Sequence, residues 1–420
     1  MNKIVVNGGE RLFGEVEIGG SKNAALPLLF AGILTGQVCV FSSLPRVSDV
    51  LLALEILRAL GARIRFVEGG DVCIDYASMR PALPSVCLTG AIRGSVYLLG
   101  AMLGRFGRAK LGGAGGCDFG SRPIDQHLVG FAALGAEEYT ENGALCLVAS
   151  EGLSGADITL KMPSVGATCN ILMAACAASG RTVIRNAAAE PHVVALCEFL
   201  TKAGAQISGK GTDTLTVYGG KSLHGCQITV IPDMIEAGTY LCAAMAAGGR
   251  VTVKNVMPSH LGAVLDVLRE MGATLTVGKT QIILRAPTRC RALTVQTGPY
   301  PAFPTDLHPQ FAALFALGSR TAGEGQMVER VWQDRFRYTE ELVKMGASVK
   351  ISGERATFFP KMLAPAVVRS PDLRGGVALL LAALSVKGRT EITNAATIGR
   401  GYEHLETKFR SLGADIRVFG

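Results

Sequence analysis

The chain has 420 residues, of which 49% are hydrophobic and 18% charged, so a large buried core is possible and extensive disorder is excluded. Its net charge of +8 would suit nucleic acid, a membrane surface or an anionic small molecule. Because the lysines and arginines are spread along the chain and only one tryptophan is present, the composition favours anionic small molecules over nucleic acid.

No membrane or export signal is recognisable in the sequence. The longest apolar stretch, residues 24–36, contains a proline and is shorter than the roughly 20 residues that span a bilayer. The first residues also lack the apolar core of a signal peptide. We therefore expect a soluble cytoplasmic protein.

The eleven cysteines include no C-x-x-C pair, and their number is odd. Most lie in apolar runs, as Cys169 and Cys176 do, so we interpret them as small buried side chains in a reducing compartment. Neither they nor the six histidines show metal-ligand spacing, and the sequence has no P-loop or dinucleotide-binding motif.

The first predicted functional element is the segment that leads into an apolar helix predicted at 24–33. Two glycines and Ser21 precede Lys22 and Asn23 there. A helix start offers backbone N–H groups and a positive dipole end, and the lysine adds a full charge, so the segment could bind an anion. The alternative is a lysine on a solvated first helical turn.

A tripeptide of the form apolar-Gly-Ala recurs about every 70 residues, at 60–62, 134–136, 203–205, 271–273, 345–347 and 412–414. An amphipathic helix pattern, as at 51–60, precedes each glycine and an alternating strand follows it, so each glycine is predicted to end a helix in the left-handed region. More apolar, buried helices are predicted at 171–178, 240–247 and 376–386. Each unit therefore reads strand-helix-strand-helix-strand, and two clusters of three units would form two domains.

Cys117 lies in a glycine-dense loop, residues 112–123, that interrupts the second of these units. Arg122, five residues later, puts a positive charge within reach, which favours the thiolate and could hold a phosphate or carboxylate. The alternative is a flexible turn that happens to carry a cysteine.

Further candidates lie in the second half of the chain. Two prolines stiffen residues 301–304, and Asp306 follows at a predicted helix start, where it could act as a general base or merely as an N-cap. Arginines suited to phosphate or carboxylate lie at element junctions: Arg93, Arg122, Arg335, Arg374 and Arg400.

Taken together, these segments closely resemble the UDP-N-acetylglucosamine 1-carboxyvinyltransferases, the family of enolpyruvyl transferases that begins bacterial peptidoglycan synthesis. The resemblance runs over essentially the whole chain, and the Cys117 loop separates this family from the 5-enolpyruvylshikimate-3-phosphate synthases. The segments that carry it are Gly-Ser-Lys-Asn-Ala-Ala-Leu-Pro (20–27), the Cys117 loop through Pro-Ile-Asp (115–125), Pro-Ser-Val-Gly-Ala-Thr (163–168), Asn-Ala-Ala-Ala-Glu-Pro (186–191), Ile-Glu-Ala-Gly-Thr (235–239), Pro-Ala-Phe-Pro-Thr-Asp (301–306) and Arg-Gly-Tyr-Glu (400–403).

The resemblance implies an α/β protein with two inside-out α/β barrel domains, built from six repeats, three to a domain. Residues 1–21 and 232–420 would form the domain that contains both termini, and residues 22–231 the inserted domain that carries the Cys117 loop. Ligands would bind between the domains, with the loop closing as a lid. We expect no metal and no organic cofactor.

The implied reaction adds the 3′-hydroxyl of UDP-N-acetylglucosamine to C2 of phosphoenolpyruvate, protonates C3, and then expels phosphate from the tetrahedral intermediate. By resemblance, Cys117 is the proton donor or lid thiol and Asp306 lies beside the sugar hydroxyl. Lys22, Arg122 and Arg400 are the cations on the phosphate side. The resemblance assigns the remaining substrate contacts to Asn23, Arg93, Asp125, Ser164, Val165, Gly166, Val331, Arg335 and Arg374.

Five positions depart from the family pattern near the nucleotide sugar: Tyr97, Gln126, Met162, His192 and Gln333. They leave open a paralogue with a shifted substrate preference, or one that binds a nucleotide sugar and regulates without catalysis. The principal reacting positions match the family, so we expect an active enzyme.

Overall fold

The computed structural model describes residues 2–82, 84, 86–112 and 124–420. These residues form an α/β protein of several small, mostly mixed sheets and of helices, many of which are buried.

The strands of the described residues are, in chain order, β1 (Lys3–Gly8), β2 (Leu12–Glu17), β3 (Val38–Ser42), β4 (Arg63–Phe66), β5 (Val72–Asp75), β6 (Arg108–Leu111), β7 (Glu137–Glu141), β8 (Ala144–Val148), β9 (Asp157–Thr159), β10 (Arg181–Arg185), β11 (Gln206–Ser208), β12 (Thr214–Tyr218), β13 (Gln227–Thr229), β14 (Gly249–Lys254), β15 (Thr274–Val277), β16 (Gln281–Arg285), β17 (Cys290–Arg291), β18 (Thr294–Gln296), β19 (Thr321–Ala322), β20 (Gly325–Val328), β21 (Ser348–Ser352), β22 (Arg355–Phe359), β23 (Val367–Arg369), β24 (Gly388–Thr393) and β25 (Asp415–Phe419). The α-helices are α1 (Lys22–Ala31), α2 (Ser48–Ala59), α3 (Val86–Ala91), α4 (Tyr97–Phe106), α5 (Asp125–Ala133), α6 (Val165–Ala177), α7 (Pro191–Lys202), α8 (Met234–Ala247), α9 (Gly262–Glu270), α10 (His308–Ala316), α11 (Tyr338–Lys344), α12 (Leu373–Ser385) and α13 (Leu405–Ser411).

The chain divides into two compact units. We call residues 2–19 and 232–420 the terminal unit, and the described residues between 20 and 231 the central unit. Both contain sheets of one pattern, in which a parallel strand pair at one edge is followed by two antiparallel neighbours. The central unit has this pattern in β13-β3-β5-β4 and β9-β10-β12-β11, and the terminal unit in β2-β14-β16-β15, β18-β20-β22-β21 and β23-β24-β1-β25.

Helices that are apolar on every side form the core of each unit, because only a buried helix can be apolar all round. In the terminal unit α8, α10 and α12 pack against one another, and every residue of α10 is buried. In the central unit α4 packs against both α1 and α6. No helix in the described ranges combines the length and the apolar character needed to cross a membrane.

The predicted apolar helices at 171–178, 240–247 and 376–386 are confirmed, but each begins three to six residues earlier than predicted. The reason is an N-cap that the apolar pattern does not reveal. Ser164, Asp233 and Asp372 each accept a hydrogen bond from a backbone N–H of the first turn, which satisfies donors that have no partner inside the helix.

The predicted left-handed glycines are also confirmed. The six glycines of the recurring tripeptide have φ between 89° and 109°, a conformation that side chains with a Cβ rarely adopt. Each follows a helix that ends two residues before it, so the same local device ends six helices across both units.

Candidate active site

The predicted site residues fall into two groups that belong to different units. Cys117 and Arg122 lie outside the described residues. The central unit carries Lys22, Asn23, Arg93, Asp125, Ser164, Val165 and Gly166, and the terminal unit carries Asp306, Val331, Arg335, Arg374 and Arg400.

Lys22 is the first residue of α1, which begins two residues before the predicted helix, and Ser21 caps it through a hydrogen bond from the Ala24 N–H at 3.4 Å. The lysine is not on a solvated turn. Its Nζ lies 3.1 Å from a carboxylate oxygen of Asp49 in the first turn of α2, and the two side chains are 12% and 5% exposed. The half-buried Asn23 follows it. The start of α1 therefore carries a largely buried cation, Lys22, that is paired with the Asp49 carboxylate.

A second helix start in the central unit is formed by Ser164, Val165 and Gly166. The Ser164 hydroxyl accepts a hydrogen bond from the Ala167 N–H, and α6 begins at Val165. Gly166 lies against the ring of His127, because a Cβ added there would be 3.0 Å from His127 Nε2. Glycine thus lets the imidazole approach the N-terminus of α6, where N–H groups lack helical partners.

The protonation state of His127 follows from its hydrogen bonds. Asn170 Oδ1 accepts from the Gly100 N–H at 2.8 Å, so its Nδ2 is the atom that donates, to Val96 O at 3.0 Å and to His127 Nδ1 at 2.8 Å. His127 Nδ1 must then accept, which puts the proton of the neutral ring on Nε2, the nitrogen facing Gly166.

Burial is the main cause that lowers the pKa of His127 to about 4, and the nearby Arg93 lowers it further, whereas Asp125 opposes the shift. Burial also lowers the pKa of Arg93, which begins a short 3₁₀ helix, Arg93–Val96. Asp125 is exposed at the first position of α5. The region therefore offers a neutral N–H donor, a guanidinium and the positive end of α6 to a polar, anionic ligand.

In the terminal unit, Asp306 lies between two buried guanidinium groups. Arg374 Nη2 is 3.0 Å from Asp306 Oδ2, and Arg335 Nη2 is 3.4 Å from Oδ1. Both arginines are 3% exposed, whereas the Asp306 side chain is 31% exposed. Burial lowers the pKa of Arg374, but the Asp306 carboxylate, Tyr402 and Asp233 together outweigh that effect and raise it. Two cations and one carboxylate leave a net positive charge beside an accessible carboxylate oxygen.

The alternative role of Asp306 as an N-cap is wrong. Asp306 lies inside a 3₁₀ helix, Thr305–Leu307, and α10 begins at His308 with Leu307 in the cap position. Its hydrogen bonds instead reach residues that are 29 and 68 positions later in the chain.

A buried tyrosine orients Arg374. The Thr239 hydroxyl donates its one proton to Ile235 O at 2.8 Å, so it must accept from the Tyr402 hydroxyl at 2.7 Å. Tyr402 in turn accepts from Arg374 Nη1 at 3.2 Å, and burial raises the pKa of its phenol. The Tyr402 hydroxyl thus holds Nη1 of the guanidinium, while Asp306 accepts from Nη2.

Glu329, which the sequence analysis did not single out, organises the loop that follows β20. It is 2% exposed, and its Oε1 accepts from the Thr297 hydroxyl and the Val331 N–H, both at 2.8 Å, and from the Trp332 N–H at 3.2 Å. Its Oε2 accepts from the Thr305 hydroxyl at 2.8 Å. One carboxylate therefore holds both the half-buried Val331 and the residue next to Asp306.

Arg400 belongs to the same unit as Asp306 and lies at the end of a different short helix. Arg400 is half-buried as the last residue of a 3₁₀ helix, Ala395–Arg400, and Gly401 follows where a Cβ would lie 2.8 Å from Leu373. Among the residues with described positions, histidine, cysteine and carboxylate side chains form no group of three or more that could hold a metal ion.

The positions that depart from the family pattern lie at helix starts or in loops. Tyr97, Gln126 and His192 are the first or second residues of α4, α5 and α7, whereas Met162 precedes α6 and Gln333 lies on the loop after β20. Gln126 Oε1 accepts from the Met162 N–H at 3.3 Å, and the Met162 side chain itself is 48% exposed. Gln333 is exposed and Tyr97 and His192 are half-buried.

Comparison with known proteins identifies the class. The family model of EPSP synthase (3-phosphoshikimate 1-carboxyvinyltransferase) matches residues 6–409. The solved structure of the enolpyruvyl transferase NikO from Streptomyces tendae is 27% identical, with a TM-score of 0.88 over 99% of this chain and 98% of that one. An EPSP synthase structure from Acinetobacter baumannii shares the fold, with a TM-score of 0.74 at 20% identity over 100% of both chains.

Curated relatives narrow this class. UDP-N-acetylglucosamine 1-carboxyvinyltransferase of Clostridium botulinum is 42% identical over 99% of both chains. UDP-N-acetylglucosamine 1-carboxyvinyltransferase 3 of Caldanaerobacter subterraneus subsp. tengcongensis is 43% identical over 99% of both chains. The chain belongs to the EPSP synthase family and, within it, to the UDP-N-acetylglucosamine 1-carboxyvinyltransferases.

Proposed function

We propose that this protein transfers the enolpyruvyl group of phosphoenolpyruvate to the 3′-hydroxyl of UDP-N-acetylglucosamine and releases phosphate, the first committed step of peptidoglycan synthesis. The observation that carries the proposal is the identity of 42–43% to enzymes of that name over 99% of the chain. The basic composition and the buried guanidinium groups suit two substrates that are both anionic.

We also propose the finer architecture that the sequence suggested. Residues 1–21 with 232–420 and residues 22–231 would form two inside-out α/β barrel domains of three repeats each. The proposal is supported by the common strand pattern of the sheets, by the six equivalent left-handed glycines, and by a division of the chain close to residues 20 and 231.

The proposed chemistry needs a base for the sugar hydroxyl, a proton donor for C3 of the enol and cations for the phosphate and carboxylate. We assign the base to Asp306, whose carboxylate oxygen is partly exposed while Arg335 and Arg374 hold it in place. The hydroxyl oxygen then bonds to C2 as C3 takes a proton, and in the second step C3 returns a proton as the C2–O bond to phosphate breaks.

Cys117 is assigned as the proton donor or as the thiol of a closing loop, and Arg122, Lys22 and Arg400 as cations for the phosphate. Lys22 is suited to this role because a single carboxylate, Asp49, holds it at a helix start that also offers backbone N–H groups.

The nucleotide sugar is assigned to the first turn of α6, with Ser164, Val165 and Gly166, together with Asn23, Arg93 and Asp125, and to Val331 in the terminal unit. Neutral His127 supports this assignment, since its Nε2–H lies beside Gly166 without adding a charge that would depend on pH near neutrality.

Phosphate release by the purified protein tests the proposal. Release is expected only when UDP-N-acetylglucosamine and phosphoenolpyruvate are both present, and replacement of the sugar nucleotide by 3-phosphoshikimate should give none. Binding of UDP-N-acetylglucosamine without phosphate release at any substrate concentration would contradict the proposal and favour a regulatory paralogue. Labelling of Cys117 by the epoxide fosfomycin, and its loss in Cys117→Asp, tests the thiol assignment separately.

A further inference from the structure

Two cysteines of the central unit, far from each other in sequence, lie opposite one another on adjacent strands. β13 pairs with β3 in parallel with Gln227 opposite Val40, and the Val40 N–H donates to Cys226 O at 3.0 Å. One position earlier on each strand, this register sets Cys226 opposite Cys39. Directly opposite residues of parallel strands point to the same face of a sheet, so the two thiols share a face.

Contacts of each sulfur confirm the shared face. Cys226 Sγ lies 3.8 Å from Phe199 O in α7, and the Phe199 ring stacks on Phe41, which is two residues after Cys39 and on the same face of β3. Cys39 is fully buried, with its Sγ 3.6 Å from the Thr35 hydroxyl, whereas Cys226 is half-buried.

The surroundings favour loss of one proton from this pair. A hydrogen bond from the Cys226 thiol lowers the pKa of Cys39 to about 7, the Thr35 hydroxyl and the exposed His224 contribute in the same direction, and burial opposes them. The same hydrogen bond raises the pKa of Cys226, so the pair shares the remaining proton. Lys202 adds a positive charge beside Cys226. By contrast, burial raises the pKa of Cys197 in α7 to about 12.

We propose that Cys39 and Cys226 are a thiol modification site, at which a low-molecular-weight disulfide such as glutathione disulfide converts the pair into a reversible intramolecular disulfide. Strand spacing in sheets is about 4.7–4.9 Å, inside the Cα separation of roughly 4.4–6.8 Å that disulfides require, so the backbone spacing suits the bond. The half-buried Cys226 is the member that the oxidant reaches.

The chemistry balances as two successive exchanges. The pair shares one proton, and when that proton lies on Cys39 the half-buried Cys226 is the thiolate. The Cys226 thiolate attacks one sulfur of glutathione disulfide, the oxidant's S–S bond breaks, and one glutathione thiolate leaves. The second cysteine then loses its proton and attacks the protein sulfur of the mixed disulfide, which expels the second glutathione thiolate. Two protein thiols are oxidised and one glutathione disulfide is reduced to two glutathiones. The site is independent of the proposed transferase chemistry.

The test uses the full-length folded protein, incubated with glutathione disulfide, alkylated, digested without reductant and analysed by mass spectrometry. A peptide pair joined through Cys39 and Cys226 is expected, with a loss of two hydrogens that dithiothreitol reverses. Cys226→Ser should abolish it. Cys73→Ser is the matched control and should not, because Cys73 on β5 lies opposite Val40 and therefore on the other face of the same sheet.

Cys87 is exposed and reports that the oxidant acted on the protein. If Cys87 carries glutathione while Cys39 and Cys226 are both recovered alkylated, the proposal is overturned. It is equally overturned if the joined peptides appear only after urea unfolds the protein. Circular dichroism of Cys226→Ser establishes that the missing product is not due to misfolding.

Discussion

The buried histidine at the start of α6 gives a stability prediction with a calculable size. His127 has a pKa of about 4 in the folded protein, against an ordinary value of 6.5, mainly because of burial and then because of Arg93. Between these values the unfolded chain binds a proton that the folded chain does not, so the free energy of unfolding must fall as the pH falls from 6.5 to 4. At 1.36 kcal/mol per pKa unit, the loss amounts to roughly 3 kcal/mol at pH 4.

His127→Gln removes the titrating group, so the variant should lose roughly 3 kcal/mol less stability than the parent between pH 7 and pH 4. Urea unfolding at both pH values measures the difference, and any constant cost of the lost Asn170 contact cancels. His224→Gln makes the same chemical change at an exposed histidine and should behave as the parent does. Equal losses in the parent and in His127→Gln would refute the buried neutral imidazole.

Three further substitutions test the terminal-unit cluster. Asp306→Asn preserves the shape of the side chain but removes the negative charge that Arg374 and Arg335 face. The kcat for phosphate release should fall roughly 10²–10⁴-fold. A loss below tenfold would argue against Asp306 as the base. Glu329→Gln replaces one accepting carboxylate oxygen by an amide NH₂ that faces other donors, and it should cost roughly 2 kcal/mol of unfolding free energy, measured by urea titration. It should also raise the KM for UDP-N-acetylglucosamine, and an unchanged KM would show that the Val331 loop does not depend on this carboxylate. Tyr402→Phe removes the acceptor that orients Arg374, so it should lower kcat and also cost roughly 1–3 kcal/mol of unfolding free energy for the unpaired guanidinium N–H. Loss of stability with an unchanged kcat would indicate a purely structural hydroxyl.

Local patterns predicted the parts of this fold that local physics determines. The recurring glycines predicted six helix ends correctly, because the left-handed residue that ends a helix depends only on a few neighbouring positions in the sequence. The start of α1 was predicted to within two residues, because glycines and a serine that can cap a helix precede it in the sequence. The starts of α6, α8 and α12 were placed too late, because a polar capping residue and one turn of mixed character precede each apolar run.

Long-range partners explain what the sequence alone did not reveal. The bonds of Glu329 to Thr297 and Thr305 and those of Asn170 carry no local signal, since they join residues tens of positions apart that folding brings together. The N-cap alternative for Asp306 was wrong for the same reason, because Arg335 and Arg374, not the helix that follows, are its partners. The roles of Cys117 and Arg122 remain predictions from the family resemblance, as these residues lie outside the described ranges.

We propose that phosphate leaves by cleavage of the C2–O bond of the enol ester after the sugar hydroxyl has added to C2. Phosphoenolpyruvate labelled with ¹⁸O at the oxygen that bridges C2 and phosphorus tests it most directly, with UDP-N-acetylglucosamine as the second substrate. We expect the label in the inorganic phosphate, together with one enolpyruvyl ether of the sugar nucleotide per phosphate released. Label retained in pyruvate, with no modified sugar nucleotide, would identify a phosphatase and contradict enolpyruvyl transfer by C2–O cleavage.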